Sequence, residues 1–301
     1  MDKVSFMKNL EGRLKESLSN EGYEVIYTKK MPFSYGINKE GICIEKPGTE
    51  LGVYIYAEGI YQQYESGKTL DFIIDELMSM VKSKSADIDQ HIFDKMTKEE
   101  VLKTIFPMVV SYKPNQSKIE KCPFRRVYNT ELVNAYYCQV PSRDGKKVTL
   151  HISTLNMAEK GLTEEKLYRA SLKNLEKVPY IFKNLPEIIR NKDIQNAIYG
   201  SLTDKNSSLY VLSNSECFYG AAFLLSNKVL TEISDYMGGD YVIIPSSVHE
   251  LIIAAPNAID TRVAVDLIQK ISGFVPPKDR LMGSLYAYSK KCGLYVRAAC
   301  F

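Results

Sequence analysis

Two apolar runs near the C-terminal end limit the fold more than anything else in the chain. Residues 240–245 and 249–255 are strand-length, rich in Ile and Val, and separated only by Ser246, Ser247 and Val248. A parallel crossover takes a dozen or more residues, so a link this short makes the two runs an antiparallel hairpin. Residues 284–289 and 294–298 repeat the pattern around Lys291-Cys292-Gly293. A sheet built from hairpins needs helices or a second sheet to cover it.

Amphipathic helices are legible by their apolar spacing. Val4, Met7, Leu10, Leu14 and Leu18 predict a helix over 3–19, and Leu70, Ile73, Ile74, Leu77, Met78 and Val81 one over 69–82. Thr97 with Glu100 forms a capping-box pattern. Thr163 begins a helix to Leu175, residues 219–225 and 228–237 read as helical, and Gly238-Gly239 ends the latter. Asp260 caps a helix to 271, with Leu267 turned inward. Strands are predicted at 23–27, 41–45, 52–56, 109–112, 127–140, 149–153 and 209–213, with 113–121 a polar loop. Residues 176–206 read as a loop with a short helix near 187–198. Strands and helices mix without regular βαβ alternation, which predicts an α+β fold of mixed, largely antiparallel sheets with packed helices. Two subdomains are expected, residues 1–112 and 113–301.

Composition removes several classes. With 45% hydrophobic and 25% charged residues over 301 positions, this is a globular chain with a substantial core. No apolar run reaches the roughly 20 residues of a membrane span. Residues 1–6 show neither an apolar stretch nor a cleavage site, so no signal peptide is expected. The six dispersed cysteines form no CxxC pair, which fits a reducing cytoplasm better than a disulfide framework or a zinc site.

The net charge of +3 is unevenly spread. Residues 1–112 carry 14 Lys and Arg against 18 Asp and Glu, residues 113–192 carry 16 against 8, and residues 193–301 carry 9 against 10. Within the basic segment Lys113, Lys118, Lys121, Arg125 and Arg126 lie among Tyr112, Phe124 and Tyr128. Cations that hold phosphates beside aromatics that stack on bases would suit nucleic acid. No RNA- or DNA-binding motif accompanies them, and the same aromatics suit a protein interface.

Candidate chemistry is sparse. Ser246, Ser247, His249 and Glu250 invite a hydrolase reading, but no GxSxG elbow surrounds either serine. The turn chemistry favours Pro and Ser shaping the bend, with His249 opening the strand. Cys217 lies near a predicted helix start, where a thiol can be activated. His91, His151 and His249 have no paired spacing, so no metal is expected. Gly238-Gly239-Asp240 is not a phosphate loop, and no nucleotide motif occurs, so no cofactor is expected.

One resemblance can be placed on particular residues. Phe218-Tyr219-Gly220-Ala221-Ala222, Val229-Leu230, Gly238-Gly239-Asp240-Tyr241 and Ile244-Pro245-Ser246-Ser247-Val248-His249-Glu250-Leu251-Ile252-Ile253 resemble an uncharacterised bacterial family, domain of unknown function 5688. Thr163–Leu167 with Ala170 and Asn174, Pro123–Arg126, and Tyr54-Ile55-Tyr56 with Tyr61 and Tyr64 extend the likeness over most of the chain. The proline-centred turn before an apolar strand is more distantly similar to the YtpQ-like family. The resemblance implies a cytoplasmic bacterial protein associated with mobile elements, and it assigns no catalytic residue. The leading expectation is a non-enzymatic module that binds another macromolecule, most simply a protein. Nucleic-acid binding through 113–192 and a hydrolase using the Ser246–Glu250 turn or Cys217 are the alternatives.

Overall fold

The computed structural model describes residues 1–28, 40–45, 52–87, 92–141, 147–188, 208–216, 218–259, 277–281 and 284–299, with isolated positions at 196, 262, 264, 265, 268 and 275. The fold is α+β, and every paired strand whose register is described is antiparallel. Contacts gather the residues before Met96 into one compact unit and nearly all later ones into a second.

In the first unit, α1 (Lys3–Ser19) starts at Asp2, whose carboxylate accepts the Ser5 amide. Its buried stripe is Phe6, Met7, Leu10, Leu14 and Leu18. Val4 is 49% exposed, so Phe6 takes the place the spacing gave to Val4. The stripe covers the meander β1 (Glu24–Thr28), β2 (Gly41–Glu45) and β3 (Gly52–Tyr56) together with α2 (Ala57–Glu65) and α3 (Leu70–Asp87). Phe6 packs edge-on against Tyr61 and tilted against Tyr64, which fixes α2 over α1. A further short helix, α4 (Ile92–Lys95), closes the unit.

The second unit opens with α5 (Lys98–Thr104), begun by the expected capping box of Thr97 and Glu100. Strands β4 (Ile105–Ser111), β5 (Arg125–Arg126) and β6 (Leu132–Pro141) form a sheet in the order β4-β6-β5, with β7 (Lys147–His151) also paired to β6. Between β4 and β5 the expected polar loop is a helix, α6 (Tyr112–Ile119). Pro114 stands in its first turn, where no backbone donor is needed, and Ile119 is its only buried residue, so apolar periodicity gives no signal. The strand expected over 127–140 is broken by a turn between β5 and β6. Two more helices follow, α7 (Thr154–Glu159), capped by Ser153, and α8 (Glu164–Leu175), capped by Thr163.

Strand β8 (Tyr180–Asn184), in the segment read as a loop, leads through α9 (Leu185–Ile188) towards β9 (Leu209–Asn214). A 3-10 helix (Gly220–Leu225) and α10 (Asn227–Met237) come next, the latter ended by left-handed Gly238. Strands β10 (Tyr241–Ser247) and β11 (Glu250–Ala254) are the expected hairpin, and β12 (Ser284–Ser289) with β13 (Gly293–Ala299) the second. Together they make one six-stranded sheet, β13-β12-β10-β11-β9-β8. Ile243, Leu251 and Ile253 face one apolar cluster, and Val242, Ile244 and Ile252 face another. Burial on both faces is why these strands read as continuous apolar runs without alternation. Pro245 sits in β10 beyond Ile243, the last residue paired to β12, so its missing donor interrupts no ladder on that side. Arg262, Ala264, Val265 and Ile268 are helical within the stretch predicted from Asp260, whereas Asp260 and Leu267 lie outside the described residues.

Candidate functional site

The Ser246–Glu250 turn is built around a bulge between Pro245 and Ser247. Both serines belong to β10 and are buried rather than forming the connection. Ser246 Oγ donates to the Glu250 carbonyl (3.1 Å), and Ser247 Oγ accepts the His249 amide (3.2 Å). Their hydroxyls brace the backbone of the bend. The His249 ring stacks on Phe218 and Tyr219, and its Nδ1 accepts the Tyr219 amide at 3.2 Å. Ser213 Oγ donates to the His249 carbonyl at 2.6 Å, tying β9 to the same bend.

Tyr219 holds a left-handed backbone (φ 51°, ψ 32°) immediately before the 3-10 helix, a conformation that disfavours a bulky side chain. Its ring is wedged against Tyr137, Phe218 and His249, and its hydroxyl lies 3.5 Å from His151 Nε2. The fold therefore brings two of the three histidines onto one tyrosine, although sequence spacing gave no hint of a pair. Burial depresses both, His249 to about 3 and His151 to about 4, the latter helped by the like charge of Lys118. Both imidazoles are neutral at pH 7. Burial pushes the Glu250 carboxyl up to about 7, an effect only partly offset by the nearby Ser246 hydroxyl. Cys217 and His91 lie outside the described residues.

The two arginines of the basic segment do not share a face. Lys113 and Lys118 are exposed on α6, and Lys121 is exposed beyond its end. Arg125 and Arg126 are neighbours in β5 and so point to opposite sides of the sheet. Arg125 turns to α8, where Nε and Nη2 grip Glu164 (2.8 and 2.5 Å), Nη2 reaches Glu165 (2.8 Å), and the guanidinium lies 3.7 Å from the Tyr168 ring centre. Tyr136 donates its hydroxyl to the same Glu164 carboxylate. Burial pushes the Glu164 carboxyl up, and the bonds from Arg125 and Tyr136 more than reverse this, leaving it below its ordinary range. Arg126 instead lies 4.1 Å over Tyr112 and donates to the Thr130 carbonyl.

Glu164→Ala would leave Arg125 with Glu165 alone and strand the buried Tyr136 hydroxyl. A loss of about 2–4 kcal/mol is expected, because removing one partner leaves the others desolvated and unpaired. Urea unfolding checks it, and a variant within about 0.5 kcal/mol of the native chain would show the clasp to be energetically idle.

Between β5 and β6 the chain reverses over Val127–Thr130, with the Thr130 amide donating to the Val127 carbonyl at 3.0 Å. Tyr128 (φ 49°) and Asn129 (φ 54°) are both left-handed, as a primed hairpin turn requires. Asparagine suits that conformation, whereas a tyrosine costs about 1–2 kcal/mol there. Tyr128 is also 54% exposed, so little packing offsets this. Its phenol is pushed up by partial burial and by the charge of Tyr168.

Among the described residues no helix is long and apolar enough to cross a membrane, and no group of three or more His, Cys, Asp and Glu could hold a metal ion. No curated protein and no solved structure matches the chain. A model of the family of unknown function DUF5688 matches residues 3–290, from α1 to the end of β12, and the chain belongs to that family.

Proposed function

We propose that the protein is a non-enzymatic module that binds another protein, through the end of its four-stranded sheet whose β5–β6 turn carries Tyr128. One observation carries this reading: Tyr128 is held in a costly backbone conformation with its ring largely in water. Strain without a packing return is characteristic of binding and catalytic positions. Tyr and Arg are also the residue types that dominate interface energetics. Arg125 already has two carboxylates, and Arg126 points the other way, so the segment offers no single track for phosphates. That weighs against nucleic acid. The serine hydroxyls of the Ser246–Glu250 turn are engaged with backbone, which weighs against a hydrolase. The bacterial cytoplasm is the setting proposed with this reading.

Tyr128→Asn tests it. Asparagine keeps the left-handed turn and removes the ring, so stability should be unchanged or raised by about 1 kcal/mol. A partner captured from native lysate by the wild-type chain, in the presence of nuclease, should be lost. Capture at equal yield would overturn the assignment. So would a marked loss of stability, because the ring would then be structural.

A further inference from the structure

Helix α8 lies over the sheet face that carries Arg125, Asn134 and Tyr136. Arg125 pairs in register with Asn134, and Tyr136 follows two residues later on the same side of β6. Arg125 and Tyr136 both reach Glu164 in the first turn of the helix, so Asn134 is turned towards α8 as well. Asn134 is fully buried, and among the described residues neither its amide nitrogen nor its amide oxygen finds a hydrogen-bond partner. The Tyr136 hydroxyl is close by, but its proton is committed to Glu164. A buried amide in this position costs the closed state free energy that exposure to water would return.

The two ends of α8 are held differently. Near its C-terminus Leu175 and Leu172 pack into the largest apolar cluster, and Asn174 Nδ2 donates to the carbonyls of Leu102 and Ile105 at 3.0 and 2.9 Å. The first two turns bury Leu167 and Ser171, and the Ser171 hydroxyl turns back on the Tyr168 carbonyl of its own helix instead of meeting Asn134. The clasp of Arg125 with Glu164 and Glu165 holds these turns through side chains that are partly exposed and therefore screened by solvent.

We infer that the first two turns of α8 are a latch, which lifts from the sheet while the C-terminal half of the helix stays docked. Glu164 is the catch, and the unmade hydrogen bonds of Asn134 favour release. Opening hydrates Asn134 and bares Arg125 and Tyr136 on the same face, and closing returns Glu164 to both. The face belongs to the sheet whose β5–β6 turn carries Tyr128, but the latch does not depend on that turn binding a partner.

Native-state hydrogen exchange of the full chain tests the latch. The amides of residues 167–171 should exchange at least tenfold faster than those of β10 and β11. Low urea should not accelerate them, because so small an opening exposes little surface. Asn134→Leu, which fills similar space without polar atoms, should slow exchange at 167–171 at least tenfold. Glu164→Gln, which keeps the shape of the catch and removes its charge, should speed it at least tenfold. Exchange at 167–171 with the rate and urea dependence of β10 and β11 would overturn the inference. So would unchanged or faster exchange there in Asn134→Leu, or unchanged exchange in Glu164→Gln, which decides alone if the leucine variant does not fold. A crystal structure with ordered water bonded to both amide atoms of Asn134 would overturn it too, since opening would then return nothing.

Discussion

Gly220→Ala is expected to destabilise the second unit by about 3 kcal/mol or more, although it adds a single methyl group. The added Cβ would sit less than 3.0 Å from the Ser213 hydroxyl, the Ser213 Cα and the His249 carbonyl oxygen. A hydroxyl can rotate away, but a strand backbone and a carbonyl cannot. To make room, the 3-10 helix must lift from β9 and from the bend before β11, carrying buried Ala221, Ala222, Phe223 and Leu224 with it. The Ser213–His249 hydrogen bond lies in the same gap and would be broken. Overpacking of a tight core costs about 1–3 kcal/mol, and a lost hydrogen bond adds roughly 1. Urea unfolding of the variant should show a lower midpoint with an unchanged slope. A midpoint equal to that of the native chain would mean that the helix docks with slack.

Glu250→Gln is expected to stabilise the protein, and only on the alkaline side. The Glu250 carboxyl titrates at about 7 in the folded chain against an ordinary 4.5, because burial penalises its charge. Between those values the folded state holds a proton that the unfolded state has lost, so stability falls as pH rises from 4.5 through 7 and is level above. The full shift corresponds to about 3 kcal/mol. The residue keeps some contact with solvent, which reduces the expected cost to about 2 kcal/mol at pH 8. Glutamine carries no charge, so the variant should recover that amount at pH 8 and nothing at pH 4.5.

The two histidines act in the opposite direction. Each has a depressed folded-state value, so their contribution is intact above the ordinary 6.5 and is lost as pH falls towards about 4 for His151 and about 3 for His249. From pH 6.5 down to 4.5 the unfolded chain takes up two protons on histidine while the folded chain gains one on Glu250. Stability should therefore still fall towards acid, by roughly 1.4 kcal/mol per unit. The native chain should be most stable near pH 6.5–7. The variant should instead climb to a plateau and stay there. Denaturant unfolding between pH 4.5 and 9 checks this, and parallel curves for the two proteins would show that Glu250 ionises freely.

Much of the fold was legible where local pattern and burial coincide. The helices α1, α3, α8 and α10 follow their apolar spacing, and Thr97, Thr163 and Gly238 cap or end helices as their chemistry dictates. The β10–β11 hairpin followed from the shortness of its link. Helix α6 and strand β8 escaped because neither buries a periodic stripe: α6 buries only Ile119, and β8 is a half-covered edge. The Tyr128–Asn129 turn escaped because a tyrosine is the wrong residue to announce a left-handed turn.

The sequence by itself determined the α+β class, the antiparallel hairpins, the principal helices and the family, since all of these rest on residues close together along the chain. Only the tertiary structure decided the candidate sites. It joined Arg125 to Glu164 across 39 residues, the Tyr219 amide to His249 across 30 and the Tyr219 hydroxyl to His151 across 68. It sent Arg125 and Arg126 to opposite faces and set Tyr236 against Phe182. Partners so far apart carry no shared periodicity, because their meeting is fixed by strand order and by the helices laid over the sheet, and those depend on the packing of the whole unit.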